Sequence, residues 1–165
     1  SILVSLIAWG WLISWKFALV VIGSIFIHEY GHFYWMGREG IKNKDMFFIP
    51  LLGAVARSKD MWPNRGAEAR IALAGPAFGI ISVIVFWTLW LVTSNPIFVA
   101  SAILASYINL TNLLIPIAIL DGGRVIKSIL LSYSPFLGEL FYHFGFAFLL
   151  ISTLLWHVNI IVVIY

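Results

Sequence analysis

The five residues His28-Glu29-Tyr30-Gly31-His32 carry the strongest chemical signal in the sequence. On a helix, positions i and i+4 share one face, so both imidazoles point the same way and can hold one metal ion. Glu29 follows the first histidine directly, placed to handle a water bound to such an ion. Neutral imidazole nitrogens suit zinc, and a catalytic zinc site takes a third protein ligand and leaves one position open. Cysteine is absent, which removes thiolate ligands, a cysteine nucleophile and a disulfide framework. The third ligand must come from another part of the chain.

The surroundings of these residues are apolar. Of 165 residues, 62% are hydrophobic and 10% charged, with a net charge of +3. A soluble domain carries about 25% charged residues, so a water-soluble globule, a disordered chain, a coiled coil and a nucleic-acid binder are all poor fits. The length suggests one domain over 1–165. Both ends cut through hydrophobic sequence, so the natural protein is expected to be longer, and residues 1–15 lack the basic n-region of a signal peptide.

Phe17–Met36 is long enough, at 1.5 Å per residue, for roughly 30 Å of hydrocarbon. Only His28, Glu29 and His32 interrupt it. Ser1–Ser14 is too short to span and reads as the remainder of a first helix. Trp9, Trp11, Trp15 and Lys16 form a cluster typical of a membrane–water interface. Residues 37–70 hold seven of the ten basic residues, with the apolar stretch Met46–Val55 in their midst as a strand, hairpin or membrane-dipping loop. Residues 71–120 contain no charged residue and suit two crossings, about Ile71–Val92 and Ile97–Ile115, broken at Thr93-Ser94-Asn95-Pro96. Phe136–Tyr165 reads as one long helix or one and a half spans, with Trp156, His157 and Asn159 near a break. The expected architecture is an all-α polytopic membrane protein with about five to six transmembrane segments. A short β-hairpin or membrane-dipping loop lies between the second and third.

The positive-inside rule places the basic loop 37–70 in the cytoplasm. Phe17–Met36 then runs inward, and the next two segments go out and return. Asp121 arrives on the side of His32, at the inner end of its helix, and Arg124 and Lys127 land inside as well. Pro116 weakens the helix before Asp121, and Gly122 and Gly123 free the backbone after it. A carboxylate at mid-membrane costs on the order of 3 kcal/mol on insertion scales. Structural zinc sites show about 10–16 kcal/mol of apparent binding free energy, enough to offset that. Asp121 is therefore the candidate third ligand. His143 and His157 read as packing or interfacial residues, and Gly75-Pro76-Ala77-Phe78-Gly79 as close helix packing through small residues.

Together these residues resemble the site-2 protease family of intramembrane zinc metalloproteases. That family pairs HExxH on one transmembrane helix with an Asn…Pro…Leu-Asp-Gly motif on a later one. Here the matches are His28–His32 and Asn112…Pro116…Leu120-Asp121-Gly122, and the resemblance covers about Lys16 to Lys127. It implies that His28, His32 and Asp121 bind one zinc ion per chain and that Glu29 is the general acid/base. It also implies that Asn112 contacts or orients the substrate, and that Phe47–Ala56 is a membrane-dipping hairpin beside the active site. The implied substrate is a membrane protein cut within or near a transmembrane segment, such as a tethered transcription regulator. The implied location is the lipid bilayer of the plasma membrane, with the site toward the cytoplasm.

Two departures stand out. Three residues separate Asn112 from Pro116 where the family has two, which turns Asn112 by about 100° on an ideal helix; Asn109, one turn earlier, is the second candidate. Many members carry an asparagine where this chain has Gly79. No segment resembles the PDZ or CBS domains of some relatives.

Rival readings fit less well. A serine-type intramembrane protease wants a Gly-x-Ser-Gly-like site, and an aspartyl type wants two intramembrane aspartates where only Asp121 qualifies. Prenyl-protein endopeptidases draw a downstream glutamate as ligand, and Glu139 is poorly placed. A divalent-metal transporter or channel could also place His and Asp in a membrane, but it has no need of Glu29 at this spacing.

Overall fold

The computed structural model describes residues 2–12, 14–49 and 53–164, with side chains described through residue 154. The helix carrying the two histidines, α2 (Trp15–Arg38), starts where the Ser14 hydroxyl accepts a hydrogen bond from the Phe17 N–H at 3.1 Å. Side-chain acceptors of this kind satisfy the free N–H groups of a helix's first turn. Before it lies α1 (Ile2–Leu12), short and apolar. After it come the antiparallel strands β1 (Lys44–Ile49) and β2 (Gly53–Ser58), paired from Lys44↔Ser58 to Ile49↔Gly53. The hairpin expected over Phe47–Ala56 is therefore present, and the turn at 50–52 lies outside the described residues.

The long helix α3 (Arg65–Thr93) starts six residues before the expected Ile71, because Asn64 caps it by accepting from the Ala67 N–H at 2.8 Å. Arg65, Glu68 and Arg70 thus belong to its first turns rather than to the loop. The predicted break is where the sequence signals it. Ser94 is left-handed, Asn95 caps the Ile97 N–H at 3.1 Å, and Pro96 opens α4 (Pro96–Leu114). Proline fits there because its missing N–H would be unpaired anyway.

The chain then departs from the sequence reading. Asp121 is not at the inner end of α4. It opens a separate helix, α5 (Asp121–Tyr133), after a bend at 115–120. Pro116 follows the end of α4 instead of weakening its interior. The last helix, α6 (Pro135–Ile164), is continuous, which settles the choice between one long helix and one and a half spans. The side chains of Trp156, His157 and Asn159 lie outside the described residues.

Four described helices are long and apolar enough to cross a membrane: Trp15–Arg38, Arg65–Thr93, Pro96–Leu114 and Pro135–Leu154. The protein is an all-α polytopic membrane fold with one hairpin between α2 and α3. Helix α3 is the hub, packing on α2, α4 and α5, while α6 leans on α5. At the hairpin end, Met36, Ile41, Ala56 and Ile71 form a buried cluster, flanked by Phe33, Trp35 and Trp62.

Polar contacts tie this end together. Asp60 accepts from the N–H groups of Lys42 and Asn43 and from the Asn43 amide at 2.7 Å, closing the base of the hairpin. These bonds, Asn43's first, hold the Asp60 carboxyl below its ordinary range. Arg70 grips Glu39 with two bonds of 2.7 and 2.9 Å, joining the end of α2 to α3. That pairing likewise holds the Glu39 carboxyl below its ordinary range.

Between helices in a membrane, close approach depends on small residues. Gly31 lies against α3, and a Cβ there would run into the Ala74 carbonyl and the Phe78 side chain. Gly31→Ala is expected to part α2 from α3 and lower stability by about 1–3 kcal/mol, as overpacking does. A lowered melting temperature in detergent reads this out, and an unchanged one would remove Gly31 from the packing argument.

Candidate metal centre

Helical geometry puts His28 and His32 one turn apart on the face of α2 that meets α3 and α4. Both are 3% exposed. Their Nε2 atoms are 3.2 Å apart. The Asp121 carboxylate, 6% exposed, reaches them from the first residue of α5, with Oδ2 2.9 Å from His28 Nε2 and Oδ1 3.2 Å from His32 Nε2. The bend at 115–120 makes this reach possible. It places Gly122 and Gly123 where side chains would strike the Leu113 and Ile117 carbonyls, so only glycine lets α5 turn back so tightly.

The other ring nitrogens fix the protons. His32 Nδ1 lies 2.7 Å from the Ile71 carbonyl, which can only accept, so Nδ1 carries the hydrogen. His28 Nδ1 lies 2.8 Å from Asn109 Oδ1. The Asn109 amide is oriented by its own Nδ2, which donates to the Ala105 carbonyl at 2.7 Å, so Oδ1 must be the atom facing His28. In the neutral rings this leaves the Nε2 lone pairs directed toward the Asp121 carboxylate. With the rings neutral, three acceptor groups converge in one buried spot, an arrangement that a shared cation would satisfy.

The spacing suits a small divalent ion. Donors about 2.0–2.1 Å from a tetrahedral zinc sit about 3.3 Å from one another, and the separations here are 2.9 to 3.2 Å. Nitrogen and carboxylate donors are also the types zinc takes. The residues present fit the group.

Glu29 stands beside them. Donor atoms of His28, Glu29 and His32 lie within 4.8 Å of one another, so proximity alone would admit Glu29 as a ligand. Its Oε2, however, accepts the Ala56 N–H of β2 at 2.7 Å, which turns the carboxylate toward the hairpin. Asp121, whose two oxygens each face an imidazole, is the better-placed candidate for a third ligand.

A cavity of about 400 Å³ opens on this centre, lined by Glu29, residues Gly53–Ala56 of β2, Ile108, Asn112 and Arg124. Asn112 faces the cavity, and its Nδ2 donates to the Ile108 carbonyl at 3.2 Å. Asn109, the second candidate in the sequence, is the asparagine that touches a histidine.

Sequence reasoning did not single out Arg124 as a site residue. It lines the cavity, lies 3.9 Å from Asp121 Oδ1 and stacks its guanidinium over the Trp62 ring at 5.4 Å. The backbone acceptor Ile71 and donor Ala56 were beyond sequence reasoning, since any side chain can stand at such positions. Gly75 carried a signal that was read only as packing. Its absent Cβ would collide with both imidazoles, so α3 passes the centre only because residue 75 is glycine.

Comparison with known proteins points to one family. The profile of peptidase family M50 matches residues 16–97. A zinc metalloprotease of Methanocaldococcus jannaschii is 32% identical over 118 residues, covering 68% of this chain and 33% of that protein. A Synechocystis sp. protein carrying a provisional zinc metalloprotease name is 32% identical over 126 residues, covering 72% of this chain and 32% of its own. The solved structure of a site-2 protease from Methanocaldococcus jannaschii superimposes with a TM-score of 0.61 at 27% identity, over 81% of this chain and 64% of that one. The chain belongs to the site-2 protease family, peptidase family M50. It spans about a third of the length of the curated relatives it matches.

Gly75→Ala is expected to leave the protein folded but displace the imidazoles and abolish stoichiometric metal binding. Metal analysis of the purified variant beside the wild type is the check; full metal content would contradict the packing drawn here.

Proposed function

We propose that this chain is the catalytic core of an intramembrane zinc metalloprotease that hydrolyses a peptide bond within or near a transmembrane segment of a membrane protein. The observation that carries the reading is the meeting of His28, His32 and Asp121, 93 positions apart in sequence at the widest, in one buried spot. His28 Nε2, His32 Nε2 and the Asp121 carboxylate would hold one zinc ion. Bound there, zinc supplies Lewis acidity, polarising the scissile carbonyl and bringing the pKa of a coordinated water to about 7.

The chain's own groups then divide the remaining work. Glu29 Oε2 is held by Ala56, leaving Oε1 to take a proton from the attacking water and pass it to the leaving nitrogen. Asn112 faces the cavity and is placed to meet the substrate backbone. The buried imidazole–carboxylate cluster keeps the reaction away from lipid, and the cavity admits water.

A transmembrane substrate hides its carbonyls in its own helix and must unwind to be cut. Strand β2 offers new partners. The Lys59 N–H pairs with the Asn43 carbonyl while the Ala56 N–H turns away to Glu29. Alternation along the strand then turns the Ala54 N–H and carbonyl away from β1 as well. The unwound segment would add to that edge as an extended strand.

The basic residues between 37 and 70 support a cytoplasmic position for this end of the protein. The plasma membrane and a tethered transcription regulator as substrate remain parts of the same proposal.

Glu29→Gln separates this reading from a metal transporter. The variant is expected to keep about one zinc per chain and to lose at least about 100-fold in cleavage of a membrane substrate. Asp121→Ala should lose both metal and cleavage. Zinc flux without cleavage by the wild type, or undiminished cleavage by Glu29→Gln, would reject the protease. Ala54→Pro is expected to slow cleavage with zinc retained, and unaffected cleavage would reject strand pairing alone.

A further inference from the structure

Asn109 sits in the C-terminal half of the uncharged helix α4, 6% exposed. A buried amide there must find partners for its N–H and C=O groups or incur their desolvation cost. It has two: Nδ2 donates to Ala105 and Oδ1 faces His28 Nδ1. The space for Oδ1 comes from α3. A Cβ built on Gly79 would fall on the Asn109 amide, its nearest neighbours being Asn109 Oδ1, Cγ and Nδ2. Gly79 thus serves as the socket for a side chain delivered from the neighbouring helix.

We infer that Asn109 is a positioning residue for the metal centre, fixing His28 as its Nδ1–H tautomer, and that Gly79 exists to seat it. The inference rests on the reading of His28 as a metal ligand. It adds a role that neither asparagine had in the sequence reading, where Asn109 was only a second candidate for substrate contact. The physical need is specific. Without an acceptor at Nδ1, the His28 ring can carry its proton on either nitrogen and rotate, and a ring protonated at Nε2 cannot bind metal there. His32 has a backbone acceptor for the same purpose, which no substitution of its neighbours removes. His28 has only Asn109 in this role among the described contacts, so its orientation is the one open to mutation.

The inference also separates two asparagines three residues apart. Asn112 lines the cavity; Asn109 faces His28 Nδ1 and is not among the residues lining it. Loss of Asn109 should therefore act on metal affinity, where loss of Asn112 should act on the KM for substrate.

The test measures zinc affinity by chelator competition on the detergent-solubilised full chain, with thermal melting of the metal-free protein as the control for folding. Asn109→Leu keeps the volume and removes the acceptor. It is expected to bind zinc about 10–100-fold more weakly, the usual cost of losing an outer-sphere partner. Asn109→Asp keeps an acceptor in the same place and should stay within a few-fold of the wild type. Gly79→Ala should weaken zinc as Asn109→Leu does by pushing the amide aside. Asn109→Ala combined with Gly79→Ala should be no worse than Asn109→Ala alone, since both act through one contact. Wild-type affinity in Asn109→Leu, equal loss in Asn109→Asp, or additive losses in the double variant would each overturn the inference. His28→Ala with wild-type zinc affinity would instead overturn the ligand assignment beneath it.

Discussion

The structure turns on a buried convergence of three groups that repel or ignore one another until a positive charge joins them. Two imidazole lone pairs and a carboxylate meet inside a helical bundle. The three groups are deeply buried, so solvent relieves little of their desolvation. Such an arrangement is unstable if left alone. Groups behind them can hold them in place, and a shared cation would draw them together from the front. The Ile71 carbonyl and the Asn109 amide do the holding. The rest of the fold can be understood as what brings those holders and the Asp121 carboxylate within reach.

That reach is gained by omission of side chains. Lipid-facing helices gain little from burying apolar surface against one another, so close packing must supply the association. Helix α3 passes the histidines because residue 75 has no Cβ, meets α2 closely because residue 31 has none, and accepts an asparagine from α4 because residue 79 has none. On α4 the matching face is built from Ser101, Ala102, Ala105 and Asn109, all buried. At the other end of the route Gly122 and Gly123 let α5 fold back against the tail of α4. Five glycines thus determine the approach distances, and a methyl group at any of them would meet a backbone carbonyl, an imidazole or the amide.

Much of this was legible in the sequence, and the reasons differ by residue. His28, Glu29 and His32 could be placed on one surface because helical spacing is local. Asp121 could be placed on the same side by charge counting along an apolar chain, though its helix was misassigned. Pro116 and the glycines after Asp121 signalled a break, and a break was read, but the amphipathic helix α5 behind it was not. Its length is too short to span, and its face only makes sense once α3 and α6 cover it. Asn109 was a lesser candidate because family spacing pointed to Asn112. What distinguishes the two is which face of α4 meets His28, and that depends on a helix–helix rotation no single segment encodes. Gly79 stood out only as an asparagine missing from its usual place. The contact with Asn109 gives that vacancy a physical meaning, since the amide enters the same space from another helix.

The hairpin shows why a short polar-edged sheet belongs in a protein otherwise made of helices. A helix has no spare backbone donors except at its ends, so it cannot hold a carboxylate along its flank with its own N–H groups. An edge strand can, because alternate residues turn their N–H outward. Ala56 uses one such donor on Glu29, and the next outward pair belongs to Ala54, two residues along the same edge and lining the same cavity. The group proposed to move protons, carried by α2, is therefore tied by one hydrogen bond to the same strand whose edge is proposed to hold an unwound substrate. Asp60 closes the base of that element through Lys42 and Asn43, and the buried contact of Ala56 with Met36 and Ile71 seats it against α2 and α3. A shift of the hairpin relative to α2 would break the Ala56–Glu29 bond, so the seating of the hairpin on α2 is what keeps a bound peptide in register with the carboxylate.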